Sequence, residues 1–367
     1  MKKALSLLLA AALGVSMLTG CASKPKETTG AATTAAETTA AETAADETTT
    51  AETTTAAETT AAKAETGSGT VVRVGGLKGP TTMGLVKLMD NAEKGSAKNS
   101  YEFTMVTAAD ELTALVASGK VDIALLPANV GSVLYNKTKG GIAVIDINTL
   151  GVLYLVSADT SIESMEQLKG KTIYLPGKGT TPDYVIRYLI SAAGLSEGDV
   201  TLEFKSEAAE VASVLAEDPN AVGLLPQPFV TAAMAQNDKL SIIMNLTEVW
   251  DSFQAEGTGS RLVTGVTIVN RTFLDEHADL VDTFLDEHKA SIAFTAEDAD
   301  AAADLIAAAG IVAKAPLAKK ALPYCNITFL KGEEMKDALT GYLNVLFEQD
   351  PTSVGGALPD DAFYYIQ

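Results

Sequence analysis

From Val71 onward the sequence repeats itself at a constant offset of 99 residues, and this repeat limits the fold more than any other feature. Thr81-Thr82 returns as Thr180-Thr181. Asp122-Ile123-Ala124-Leu125-Leu126-Pro127 returns as Ala221-Val222-Gly223-Leu224-Leu225-Pro226. Glu111-Leu112 and Leu115-Val116 return as Glu210-Val211 and Val214-Leu215. Each copy reads strand, Gly-rich loop, Thr-Thr, helix, strand, helix, strand, Leu-Leu-Pro, helix. Short apolar runs that alternate with helical stretches indicate α/β units on a largely parallel sheet. The first copy is predicted to hold strands at Val71–Gly75, Tyr101–Val106 and Val121–Leu126. Its predicted helices are Thr82–Asn91, Asp110–Ser118 and one starting in Asn129–Tyr135. One register held through both copies implies two equivalent lobes.

Two apolar runs are suited to join them. Gly151–Val156 can cross into the second lobe and Leu262–Val269 can cross back. Helices at Leu280–His288, Ala299–Ala309 and Glu333–Glu348 would then cover the first lobe. The expected division is 70–152 plus 265–367 for lobe one and 153–264 for lobe two. Two crossings make a hinge with a cleft between the lobes.

The segment ahead of Val71 has a different character. Lys2 and Lys3 precede an apolar run from Ala4 to Leu18, too short for a comfortable membrane span. This is the pattern of an export signal over residues 1–20. It ends Leu18-Thr19-Gly20-Cys21, which resembles the lipobox of bacterial lipoproteins and implies a diacylated Cys21 as the first mature residue. Residues 21–69 carry the lipidated cysteine and then near-repeats such as Ala36-Glu37-Thr38-Thr39. Without large apolar side chains no core can offset the entropy of ordering, so this stretch reads as an acidic tether. With Cys21 lipidated, Cys325 is left without a disulfide partner and reads as a small buried residue. The net charge of −20 disfavours nucleic acid as a partner.

Several stretches of the folded part resemble the type II periplasmic binding proteins, in the nitrate/sulfonate/taurine and thiamine-pyrimidine precursor branch. Ser164–Ile173 is similar to the family's entry into the second lobe, and Lys178-Gly179-Thr180-Thr181 to its small-residue ligand loop. Leu225-Pro226-Gln227-Pro228-Phe229 is similar to a family turn in which Glu is common where Gln227 stands. Val269–Leu274 followed by His277–Val281 is similar to the return strand and its helix. The resemblance implies two α/β lobes with a two-strand hinge. It also implies a lipid-anchored, monomeric protein on the extracytoplasmic face of a bacterial membrane. That protein would pass a small-molecule solute to an ABC permease and its ATPase, without cofactor or metal. Gly79–Met83 departs from the loop of sulfonate binders, so the solute class stays open between sulfonate- or nitrate-type anions and pyrimidine-like heterocycles.

In open α/β sheets ligands sit beyond the carboxyl ends of the strands. The first pair of such ends offers Pro80, Thr81, Thr82 and Met83 in one lobe and Thr180, Thr181 and Pro182 in the other. Their hydroxyls and free N–H groups would face a ligand at the positive ends of helices, though a threonine there can equally be an N-cap. The second pair offers Asn129 and Val130, with Asn129 able to cap its helix, and Gln227, which can both donate and accept. Tyr154, Trp250 and Tyr184 are aromatic candidates. Lys78, Lys178, Arg187 and Arg261 are candidate counter-charges. Catalysis finds no support. His277 and His288 each close an Asp-Glu-His tripeptide that reads as a charged solvent face, with no metal or triad partner nearby. The expectation is a binder, against an enzyme of the same fold (a pyrimidine synthase) or a solute-sensing receptor subunit.

Overall fold

The computed structural model describes residues 69–254 and 259–366. The expected signal at 1–20, Cys21 and all of the tether before Gly69 lie outside the described residues. β1 (Val71–Leu77) leads through α1 (Pro80–Met83) and α2 (Val86–Glu93) to β2 (Ser100–Val106). Then come α3 (Ala109–Ala117), β3 (Ile123–Pro127), α4 (Ala128–Thr138) and β4 (Ile142–Leu150). Gly151 and Val152 carry the chain to β5 (Leu153–Ser157) and β6 (Thr172–Pro176). Next are α5 (Thr181–Ala192), β7 (Thr201–Lys205), α6 (Ala208–Glu217) and β8 (Val222–Pro226), then α7 (Phe229–Gln236), β9 (Ser241–Asn245) and α8 (Leu246–Phe253). The return is β10 (Val263–Asn270), followed by α9 (Arg271–Glu276), α10 (Ala278–Glu297), α11 (Ala299–Ala308), α12 (Ala315–Ala321), β11 (Ile327–Leu330) and α13 (Gly332–Gln349).

The strands form two sheets, ordered β11-β4-β10-β3-β1-β2 and β7-β6-β8-β5-β9. Both are mixed rather than largely parallel. In each, three parallel strands are followed by an antiparallel strand that has just crossed from the other sheet: β10 beside β3, and β5 beside β8. The 99-residue offset survives in the pairing itself. Arg73 pairs with Glu102 as Thr172 pairs with Thr201, and Gly75 pairs with Ala124 as Tyr174 pairs with Gly223. Two copies of one apolar pattern therefore fold into one register, because a slip of a single residue would turn every core side chain outward. β3 and β8 are buried through most of their length, as central strands covered on both faces must be.

The predicted helix Thr82–Asn91 is two helices, α1 and α2. Pro80 starts α1 ahead of the threonines, where its missing N–H is not needed. The helices after the return do not cover the first lobe alone. α10 and α11 pack on α2, but α12 packs on α7 and α13 on α5, both in the second lobe, while α13 also packs on β4 and β10. His288 corrects the reading of its tripeptide as a solvent face: it is fully buried, on the face of α10 that carries Phe284, Leu285 and Ile292.

The first crossing is tight. A Cβ on Gly151 would fall 2.1 Å from Thr247 Oγ1 and 2.7 Å from Leu262 Cδ2. Asn326, with φ of 43°, donates its side-chain amide to the Gly151 carbonyl and accepts from the Leu150 amide. Gly151→Ala should destabilise the chain by about 1–3 kcal/mol through overpacking. Gly198→Ala, whose Cβ would meet nothing within 4 Å, is the neutral control. Thermal unfolding of the two variants checks this, and equal midpoints would contradict it.

Candidate functional site

After β1 and after β6 a threonine hydroxyl bonds back to a nearby carbonyl. The Thr82 hydroxyl donates to the Leu77 carbonyl at 2.6 Å, and the Thr180 hydroxyl to the Gly177 carbonyl at 2.6 Å. Neither hydroxyl points outward as expected. A hydroxyl just past a strand satisfies a carbonyl that the ladder leaves open. Thr81 is buried and Pro80 half-buried, and the Pro80 carbonyl lies 3.5 Å from the Thr149 hydroxyl. Met83 is fully buried in a core with Val86, Ala302 and Ile306, so it belongs to the packing of α1 and not to an open surface. Thr180 is exposed, and Pro182 is half-buried beside Gly177.

Side chains from the two lobes do meet. The Thr181 hydroxyl lies 3.5 Å from Asn129 Oδ1, and Asn129 Nδ2 reaches the Ser353 carbonyl at 3.4 Å. Asn129 is thus inside α4 and caps nothing; Pro127 holds the N-cap position. Thr181 lies close to the hydroxyl of Tyr342 on α13. Burial raises the Tyr342 phenol well above the ordinary tyrosine value, with Thr181 acting against it. The Tyr342 ring centroid is 5.7 Å from that of Trp250, which stands 4.7 Å from Tyr188. Trp250 is fully buried in this aromatic stack, so it forms no open wall.

Tyr342 was not among the sequence candidates. Its signal was a single phenol on the apolar stripe Met335, Leu339, Leu343, Leu346, which by itself says core.

The remaining candidates are apart from this cluster. Tyr154 is buried and its hydroxyl donates to the Tyr324 carbonyl at 2.8 Å, tying β5 to the segment before β11. Burial raises its phenol well above the ordinary value. Val130 lines a groove between α3 and α4. Gln227 is buried, and its Oε1 accepts from the Thr231 hydroxyl at 2.8 Å.

Two of the proposed counter-charges are paired with carboxylates. Arg187 pairs with Asp183 at 2.6 Å and Glu197 at 2.9 Å, and Arg261 faces Glu334 at 3.5 Å. Lys178 lies over the Phe204 ring at 5.6 Å, and Lys78 lies beside Gly310. Lys178, Tyr184 and Arg187 line an open groove of about 860 Å³ along α5, which Gln349 and Asp350 border from the other lobe.

Among the described residues, side-chain polar atoms buried without a hydrogen-bond partner include Gln227 Nε2, Trp250 Nε1, His288 Nε2 and the hydroxyls of Thr247, Ser260 and Thr264. Leaving such a group unpaired costs on the order of 1–3 kcal/mol. Cys325 is fully buried, its thiol pushed up to about 12 by burial and its Sγ 3.3 Å from the Ala321 carbonyl. A thiol so held is inert.

Residues 102–302 match the family described as NMT1/THI5 like. No curated protein matches the chain in sequence. Among solved structures the chain is similar to an ABC transporter protein from Parabacteroides distasonis, at 25% identity over 80% of this chain and 98% of that one, with a TM-score of 0.67. It shares its fold with the periplasmic aliphatic sulphonate binding protein SsuA from Escherichia coli, at 16% identity, 78% and 90% coverage and a TM-score of 0.63. It also shares it with the alkanesulfonate-binding protein SsuA from Xanthomonas axonopodis pv. citri bound to MOPS, at 15% identity, 79% and 94% coverage and a TM-score of 0.56. The two mixed sheets are thus those of the periplasmic binding protein fold.

Tyr154→Phe removes one hydrogen bond between the two halves and keeps the ring that meets Tyr324 edge-on. It should lower stability by about 0.5–1.5 kcal/mol, and Tyr154→Leu by more. Denaturant titration of both variants checks this; a Tyr154→Phe curve that overlays the wild type would contradict it.

Proposed function

The chain belongs to the NMT1/THI5-like family, and from that premise we propose that it is the extracytoplasmic solute-binding component of an ABC importer. The solute is a small organic molecule captured between the lobes of residues 70–152 plus 265–367 and 153–264. The complex is handed to a permease driven by an ATPase. The chain acts as a monomer held at the membrane by lipid on Cys21. Shared fold with periplasmic binding proteins supports the role, and the Parabacteroides likeness over nearly the whole of that protein supports it further.

One observation carries the reading: polar side chains of the two lobes meet at the boundary, where the Thr181 hydroxyl lies 3.5 Å from Asn129 Oδ1. A hydroxyl and an amide can each donate and accept. A solute that bonds to both is held only when the lobes are together, and such differential contact is what drives closure. The groups reaching this place are neutral, so hydrogen bonds rather than an ion pair select the solute.

Trp250 is the chain's one tryptophan and therefore its reporter. The full chain is titrated with alkanesulfonates, nitrate, carboxylates and pyrimidines while Trp250 emission and Tm are followed. A true solute changes the emission saturably, and at about 100 times its Kd adds roughly 2.7 kcal/mol of stability. Thr181→Val should weaken that binding about tenfold, in line with the loss of one hydrogen bond. An absence of any saturable change across the panel, or recovery of chemically altered solute, would overturn the proposal.

A further inference from the structure

β4 runs Ile-Ala-Val-Ile-Asp-Ile-Asn-Thr-Leu, and Asp146, Asn148 and Thr149 are all buried in its middle and end. A carboxylate in a strand interior costs several kcal/mol of desolvation, and an apolar residue would pack there at no such cost. Each of these polar groups nevertheless has a partner, and the partners form one chain. His288 Nδ1 lies 3.2 Å from Asp146 Oδ2, and the Thr267 hydroxyl donates to Asp146 Oδ1 at 2.8 Å. Asn148 Nδ2 donates to Thr267 Oγ1 at 3.1 Å, and the Thr149 hydroxyl donates to Asn148 Oδ1 at 2.9 Å. The His288 ring is fixed by Phe284, stacked at 5.3 Å, and Phe329, edge-on at 6.2 Å.

The chain ends at the loop after β1. A Cβ on Gly265 would fall 2.5 Å from Asn148 Oδ1 and 2.5 Å from Thr81 Cγ2. The bare glycine therefore lets the last amide of the chain and the Thr81 methyl close over the same spot. Thr149, next in line, sits beneath the Pro80 carbonyl. Irregular pairing of β4 with β10 on either side of Gly265 is what brings these groups to one place.

We propose that Asp146, His288, Thr267 and Asn148, ending in Thr149, form a buried anchor that fixes Pro80–Thr82 at the start of α1 for solute capture. They are positioning residues: they touch the loop or one another, not the solute. The role in capture rests on the solute-binding reading above; the hold on the loop does not. Directional bonds explain why a costly polar chain stands where apolar packing would serve stability, since hydrogen-bonded networks specify one geometry.

The test uses Thr267→Val, which keeps the shape and removes the hydroxyl, and Thr267→Ser, which restores it. Asp146→Asn is a third variant. Amide hydrogen exchange is read in peptides over 78–85 in the full chain without added solute, with 177–190 as the internal reference. Loss of one bond of the anchor should raise exchange in 78–85 about tenfold. It should leave 177–190 unchanged, and Thr267→Ser should return the wild-type rate. Unchanged exchange in 78–85 in folded Thr267→Val, or equal acceleration in both loops, would overturn the anchor. MOPS is the binding probe. If it binds the wild type, Thr267→Val should weaken it about tenfold, and an unchanged affinity overturns the role in capture. If MOPS does not bind the wild type, the sulfonate form of the binding reading fails, while the exchange result still decides the anchor.

Discussion

Each sheet is closed by a strand that comes from the other lobe. β3 and β8 have backbone groups on one edge that the parallel strands cannot reach. β10 and β5 supply the missing ladder by running antiparallel beside them. Buried backbone groups must be paired, so neither half is complete without its crossing strand. The rest of the architecture follows from that exchange. It sets the two crossings side by side, makes Gly151 a point of close approach, and brings α13 against both lobes.

The exchange also explains what could be read from the sequence. The repeat, its strands and their register were legible because they are local patterns of apolar residues. The pairing of Arg73 with Glu102 and of Thr172 with Thr201 follows from them directly. The crossings were legible as apolar runs too long for a turn. What lies between the lobes was not. Thr181 and Asn129 were named as candidates, but that they meet depends on how two separately folded halves approach. Tyr342 was missed because its helix face is otherwise an ordinary core stripe. Trp250 and Met83 were read as facing a cleft, whereas a large apolar side chain near a boundary gains more by burial. His288 is the sharpest case. Asp286 and Glu287 made its tripeptide read as solvated, yet the helix turns the third residue inward to meet Asp146.

Thr181 and Asn129, where the lobes meet, are neutral, and Arg187 and Arg261 are paired with carboxylates. Binding in such a place depends on geometry more than on charge. A loop that drifts by a fraction of an ångström loses hydrogen bonds, while one held from behind keeps them. The anchor under Pro80 and Thr81 and the close packing at Gly265 serve that need in the first lobe. In the second, the loop is tied through Asp183, which accepts from the Gly179 amide at 2.8 Å and pairs with Arg187.

The central claim is that one solute is held, unaltered, by both lobes at once. A crystal structure of the chain with its solute tests it most directly. The account predicts density for an intact small molecule within hydrogen-bonding distance of Thr181 on one side and Asn129 on the other. A solute that touches a single lobe, or one present as a reaction product, would contradict it.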